Sequence, residues 1–217
     1  VKRIMATNRS VKGNFNYNNI EKKDKNFMYK NLERSNCYNC DFSGSIFDFV
    51  SFRGAHFKST NFLKCSFKYA EFIGTNLKGS DFKSSIFENA ILDSVKLEDT
   101  NFKDVKFINT IFLSTDMSKA KNIDINTPGI RIFEEMPKLE ISDELRSAVL
   151  TAMENKYIKK ARVLDTKDGG LNTLNIMLLL ENFTEETIIA GLKSIVTKLD
   201  REFYTLSYII KFLNLQE

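Results

Sequence analysis

The chain has little of the residue chemistry that enzymes and metal centres draw on. Its 217 residues include one histidine, His56, and three cysteines, Cys37, Cys40 and Cys65. A single outward imidazole with no second histidine and no adjacent nucleophile does not make an acid–base or nucleophilic centre. An odd number of cysteines argues against a disulfide framework and for a reducing, cytoplasmic setting. No run of about 18 apolar residues occurs, so neither a membrane-spanning helix nor any membrane partner is expected. The first residues lack the continuous apolar core of a signal peptide. Charge of one sign is also missing, since 32 Lys and Arg face 28 Asp and Glu for a net charge of +4. Positions 1–24 carry six basic and two acidic groups, positions 25–119 thirteen and eleven, and positions 120–217 thirteen and fifteen. Such a balance attracts neither nucleic acid nor an anionic surface strongly. Only Lys2, Arg3, Arg9 and Lys12 make a basic start, which reads as a solvated, frayed terminus.

What is abundant is phenylalanine in a single register. Stepping by five from Phe27 reaches Leu32, Cys37, Phe42, Phe47, Phe52 and onward to Phe107, Phe112 and Met117; of these nineteen positions thirteen are Phe and four are Leu. Two residues before each centre from Cys37 onward stands a small or β-branched residue, as in Val50, Ala55, Thr60, Cys65 and Ala70. A period of five matches neither the 3.6 of a helix nor the 2 of a flat strand. It requires a backbone that turns every five residues and sends one large and one small side chain inward at each turn.

Stretches such as "STNFLKCSFKYAEFIGTNLKGSDF" resemble the pentapeptide repeat family over roughly residues 25–120. The resemblance implies a right-handed quadrilateral β-helix with four repeats per coil. A four-repeat coil stacks position n on position n + 20, and the centres sort accordingly. Phe27, Phe47, Phe67, Phe87 and Phe107 fall in one column and Phe42, Phe62, Phe82 and Phe102 in another, while every non-Phe centre falls in the remaining two. Nineteen centres make just under five coils, a rod about 23 Å long at roughly 4.8 Å per layer. The ends need caps. Phe15, Tyr17 and Ile20 are candidates before the first coil, and Ile123, Ile125, Ile130 and Ile132 after the last.

Outward positions carry whatever function such a rod has. The face centred on Phe47, Phe67 and Phe87 is expected to show Tyr29, Ile46, Phe49, Tyr69, Ile86 and Ile108, with Tyr29, Phe49 and Tyr69 as an aromatic ladder. The next face is expected to show Ile73, Ile91, Ile111 and Leu113. Two adjacent apolar faces call for a cover: this chain's own C-terminal domain or N-terminal arm, a second copy in a homodimer, or another protein.

The five-residue register stops after Ala120, and residues 121–141, with Pro128, Gly129 and Pro137, read as a cap or linker. Beyond it, residues 142–217 read as a small α+β sandwich of helix, strand, strand, helix and strand. Ser142 caps a helix bearing Leu145, Ala148, Val149, Ala152 and Met153. Ala161–Thr166 and Leu174–Leu180 read as strands around a Gly169-Gly170 hairpin. Thr184 caps a second helix, and Tyr204, Leu206, Tyr208, Ile210 and Phe212 alternate as a last strand. The block "DELRSAVLTAMENKYIKKARVLDTKDGG" and the apolar segments after it resemble the C-terminal domain of the serine-sensitivity-enhancing protein family, which implies a role in protein association.

Cys37 and Cys40 form a CxxC, yet both occupy inward positions and read as core. No phosphate-loop pattern is present. The sequence therefore points to a cytoplasmic, non-catalytic scaffold without cofactor or metal, built as an arm at residues 1–24, a solenoid at 25–120, the cap or linker and the C-terminal domain. The family resemblance implies an alternative. Some pentapeptide repeat proteins mimic duplex DNA and protect type II topoisomerases such as gyrase from quinolones or toxins. That mimicry uses an acidic rod, whereas this one carries Lys58, Lys78, Lys83 and Lys103 among Asp41, Asp81, Glu98, Asp99 and Asp104. The same interruption argues against nucleic-acid binding.

Overall fold

The computed structural model describes residues 15–215. The basic start at Lys2, Arg3, Arg9 and Lys12 lies outside the described residues. Two compact units divide between Glu134 and Glu135.

The first unit is a β-solenoid. Every strand pair in it is parallel and every register joins position n to position n + 20, as in Tyr17↔Cys37, Cys37↔Phe57, Phe67↔Phe87 and Leu92↔Phe112. Isolated parallel bridges such as Asp41↔Asn61 and Asn101↔Lys121 hold the same spacing on the face between sheets. The four-repeat coil expected from the columns is therefore the coil that forms. It begins earlier and ends later than the apolar centres do. The strand Asn16–Asn18 pairs with Asn36–Tyr38, and Ile130–Phe133 pairs with Thr110–Leu113, giving about six coils. The expected limits of 25 and 120 were too narrow because backbone pairing continues after the centres cease to be Phe or Leu. At the ends Phe15, Tyr17, Ile20, Ile123 and Ile130 pack on the core. Ile125 and Ile132 do not serve as caps; both are exposed.

The interior is built as the spacing requires. All centres from Phe27 to Met117 are buried. Rings one coil apart stack, with centroids 4.8 Å apart for Phe27 and Phe47, 4.9 Å for Phe62 and Phe82, and 4.4 Å for Phe52 and Phe72. Neighbouring columns meet edge to face, as Phe42 meets Phe47 at 82°. Each buried ring is worth on the order of 2–3 kcal/mol before entropy, and well-placed pairs add about 0.5–1.5 kcal/mol. The small inward residues satisfy buried backbone. Thr75 Oγ1 donates to the Phe52 carbonyl at 2.9 Å, Thr100 Oγ1 to Leu77 at 2.9 Å and Thr110 Oγ1 to Phe87 at 3.0 Å, each reaching into the coil before its own.

The corners have their own chemistry. The residue two after each centre takes a positive φ from Asn19 to Ser114, with Gly44, Gly54, Gly74 and Gly79 among them and Asn, Asp or Ser at most others. Side chains just before the centres brace the turns, for Asn61 Oδ1 accepts from Leu63 N at 2.9 Å and Asp81 Oδ1 from Lys83 N at 2.8 Å. These are Asx turns, which suit short polar side chains.

The second unit is helical, and here the α+β expectation is corrected. Its elements are α1 Asp143–Met153, α2 Lys156–Ala161, α3 Thr173–Leu180, α4 Glu185–Lys198 and α5 Ser207–Asn214. The two expected N-caps are in place: Ser142 accepts from Leu145 N and Thr184 from Thr187 N. The three expected strands are absent among the described residues. Between Ala161 and Leu171 only one antiparallel bridge forms, Asp165↔Leu171. Leu174–Leu180 is helix because Asn172 caps it, accepting from Asn175 N, and because Leu and Met are strong helix formers without β-branching. Tyr204–Phe212 becomes mostly α5, burying Ile209 and Leu213 four apart. Leu145, Val149, Ile158, Ile176, Leu179, Leu192, Ile195 and Ile209 lie in one core. None of the helices described is long and apolar enough to cross a membrane.

Candidate functional site

One face of the solenoid gathers exposed aromatic and aliphatic side chains. Tyr29, Phe49 and Tyr69 occupy one corner of three successive coils, and their rings stack with centroids 4.8 and 5.7 Å apart and planes within 6° and 11° of parallel. Tyr29 is 57% exposed, and Ile46 and Ile86 on the same face are 38% and 42% exposed. Beside the ladder runs a charged row in which Lys68 pairs with Glu88 at 2.7 Å. Asp48 accepts from the Ser66 hydroxyl at 2.6 Å and from Lys68 N at 2.9 Å. Charge next to the ladder is thus already matched within the face, and the rings supply the unmatched apolar surface.

The ladder stands on unfavourable backbone. Tyr29, Phe49 and Tyr69 have φ of 60°, 62° and 51°. Bulky residues rarely adopt this region, and the cost is about 1–2 kcal/mol each. The same corner in later coils is held by Asn89, Asn109 and Gly129, which the region suits far better. Ring stacking offsets part of that cost. Left-handed corners were missed in the sequence, although a Gly, Asn, Asp or Ser two residues after most centres was the signal for them.

The expected interface residues lie on two adjacent faces. Tyr29, Ile46, Phe49, Tyr69 and Ile86 come together on the ladder face, and Ile73 and Ile108 are half-buried. Ile91, Ile111 and Leu113 are only 6%, 1% and 1% exposed. As sequence they look outward because β-pleating puts them opposite the centres.

The remaining chemistry is sparse. His56 is exposed on a polar face. A shallow depression of about 320 Å³ is lined by Ser59, Thr60, Asn61, Leu63, Gly79, Asp81 and Lys83, with one cation and one carboxylate. Cys37, Cys40 and Cys65 are reduced and buried. Burial pushes the Cys65 thiol up to about 12. The Cys37 thiol beside Cys40 draws Cys40 down to about 7 and is itself raised by that neighbour and by burial. Among the described residues no group of three or more His, Cys, Asp or Glu side chains could hold a metal ion.

Comparison with known proteins agrees with this architecture. Residues 35–70 and 45–83 match the family model described as pentapeptide repeats, in eight copies. Residues 67–130 match the model of the SV2A/B/C luminal domain. No curated protein matches. Among solved structures, a pentapeptide repeat protein from the cyanobacterium Cyanothece 51142 is 18% identical with a TM-score of 0.32, covering 45% of this chain and 88% of that one. HetL from Nostoc sp. strain PCC 7120, a pentapeptide repeat protein involved in heterocyst differentiation regulation, is 12% identical with a TM-score of 0.26, covering 56% and 84%. A pentapeptide repeat protein of the Arabidopsis thaliana thylakoid lumen is 19% identical with a TM-score of 0.21, covering 76% and 90%. The match to the pentapeptide repeat model at residues 35–83 lies within the solenoid, whose five-residue register and four-repeat coil are similar to that family's.

Proposed function

We propose that this chain is a non-catalytic protein-interaction scaffold, acting in a reducing compartment such as the cytoplasm, whose solenoid presents the Tyr29–Phe49–Tyr69 ladder to a protein partner. The supporting observation is that three bulky rings are kept at left-handed corners, in contact with solvent, where Asn or Gly serves the same corner elsewhere. Strain held at an exposed site is a reason to look for function there, and stacked aromatics flanked by isoleucine are the composition of interface centres. Inward positions are committed to the core, so function falls to the outer side chains. The near balance of thirteen basic and eleven acidic groups over residues 25–119 does not supply the polyanion that duplex mimicry needs.

The test compares full-length Phe49→Glu and Ile86→Glu with Lys78→Glu on a polar face. Light scattering after size exclusion and affinity capture from native extract are read side by side. Self-association or a reproducible partner should be present in the wild type and in Lys78→Glu and lost in both ladder-face variants. Equal mass and equal partners in all four proteins would rule the ladder out as the binding surface.

A further inference from the structure

Cys37 and Cys40 sit on either side of one corner of the solenoid, separated by Tyr38 and the left-handed Asn39. Both side chains enter the same interior and are 1% and 2% exposed. Cys40 occupies a small-residue position and behaves there as a hydroxyl would. Its thiol donates to the carbonyl of Tyr17, in the preceding coil, at 3.5 Å, as Ser45 does to Lys22 and Thr75 to Phe52. Tyr17 is the residue stacked directly over Cys37, so this contact carries the Cys40 sulfur toward the Cys37 column.

Packing explains Cys40 but does not explain Cys37. Of nineteen centres it alone is smaller than Leu or Met, in a row where Phe and Leu fill the interior. A thiol there gives up apolar volume, at the one centre with a cysteine three positions on. Each thiol is the first influence on the ionisation of the other, raising Cys37 and lowering Cys40. Cys65, by contrast, lies one coil and one face beyond Cys40, and its thiol is engaged only with carbonyls, such as Phe42 at 3.2 Å.

We propose that Cys37 and Cys40 are a dithiol–disulfide site, oxidised within the folded chain by a low-molecular-weight disulfide. The Cys40 thiolate attacks one sulfur of the oxidant RSSR and releases one RS⁻. The Cys37 thiolate then attacks the Cys40 sulfur of the mixed disulfide and releases the second RS⁻. Two electrons pass from the cysteine sulfurs to RSSR, and the two protons leave on two RSH. Access comes through the end of the solenoid: among the described residues the layer there is the partly buried Phe15, Tyr17 and Ile20, and terminal coils of a stacked repeat open most readily.

The probe is oxidised glutathione on the native full-length chain, followed by acid quench, unfolding, alkylation and intact mass. Untreated protein carries three alkylatable cysteines, and treatment should leave one. Cys65→Ser should fall from two to none, and peptide mapping should recover a Cys37–Cys40 link. Cys37→Ser should form no internal bridge and show either a glutathione adduct at Cys40 or two labels. Retention of all three labels under conditions that oxidise a free CYNC peptide overturns the proposal. So does loss of the Cys65 label, or loss that requires denaturant. The Cys65→Ser arm decides the matter even where Cys37→Ser fails to fold.

Discussion

The two units of this chain reach burial by opposite routes. In the solenoid each side chain's direction is fixed by its place in a five-residue register, and its long-range partners lie one coil before and one coil after it. In the helical unit direction follows from a 3.6-residue period that slides through apolar segments, and α3 is apolar on nearly every side. A register that admits one periodicity is readable from residues alone. An apolar run of seven or eight is compatible with strand and helix alike, and its caps and branching decide. The solenoid is therefore overdetermined by its sequence, and the helical unit is specified at a few points.

Substitutions can break this contrast, and the largest effect belongs to the solenoid core. Phe67→Ala removes a ring that stacks on Phe47 and Phe87, and it should cost about 3–5 kcal/mol, read as a lower urea midpoint of the β circular-dichroism signal. Gly129→Ala comes next. Its φ of +84° and the Phe107 carbonyl oxygen lying where a Cβ would go leave no room for a side chain. A loss of at least about 2 kcal/mol is expected in the same signal. Asn172→Ala addresses the other unit: losing the cap on α3 should cost about 1 kcal/mol and reduce helical ellipticity, whereas a strand at Leu174–Leu180 would show no such dependence. The smallest effect is expected at the ladder. Phe49→Asn trades ring stacking with Tyr29 and Tyr69 for an easier left-handed backbone, so its stability should stay within about 1 kcal/mol of wild type while association through that face is lost. A large destabilisation would make the ladder a structural device.

Particular residues show where the sequence was legible. Phe47, Phe67 and Phe87 declared their column, and the small residues before them declared the second inward set. Ser142 and Thr184 declared two helix starts. Asn172 was equally available as a cap, but Leu174, Ile176, Leu178 and Leu180 fit alternation well enough to hide it. Tyr204 to Phe212 misled for the same reason: Leu206, Ile209 and Leu213 make a helical stripe that alternate apolar residues also cross. At the candidate site the ladder was visible as a spacing of one coil. The burial of Ile91, Ile111 and Leu113 was visible only as an apolar face that calls for a cover. The strained corners were visible only as recurrent Asn, Asp, Ser and Gly, a pattern Tyr29, Phe49 and Tyr69 interrupt.

The coil itself can be measured without relying on any single contact. Spin labels at Tyr38→Cys and Ser118→Cys, in a chain whose native cysteines are serine, stand far apart in sequence but only four coils apart in the solenoid. Electron–electron double resonance should give one narrow distance of about 19 Å, four layers of roughly 4.8 Å. A broad distribution, or a peak at several times that distance, would contradict a four-repeat coil with every fifth side chain inside it.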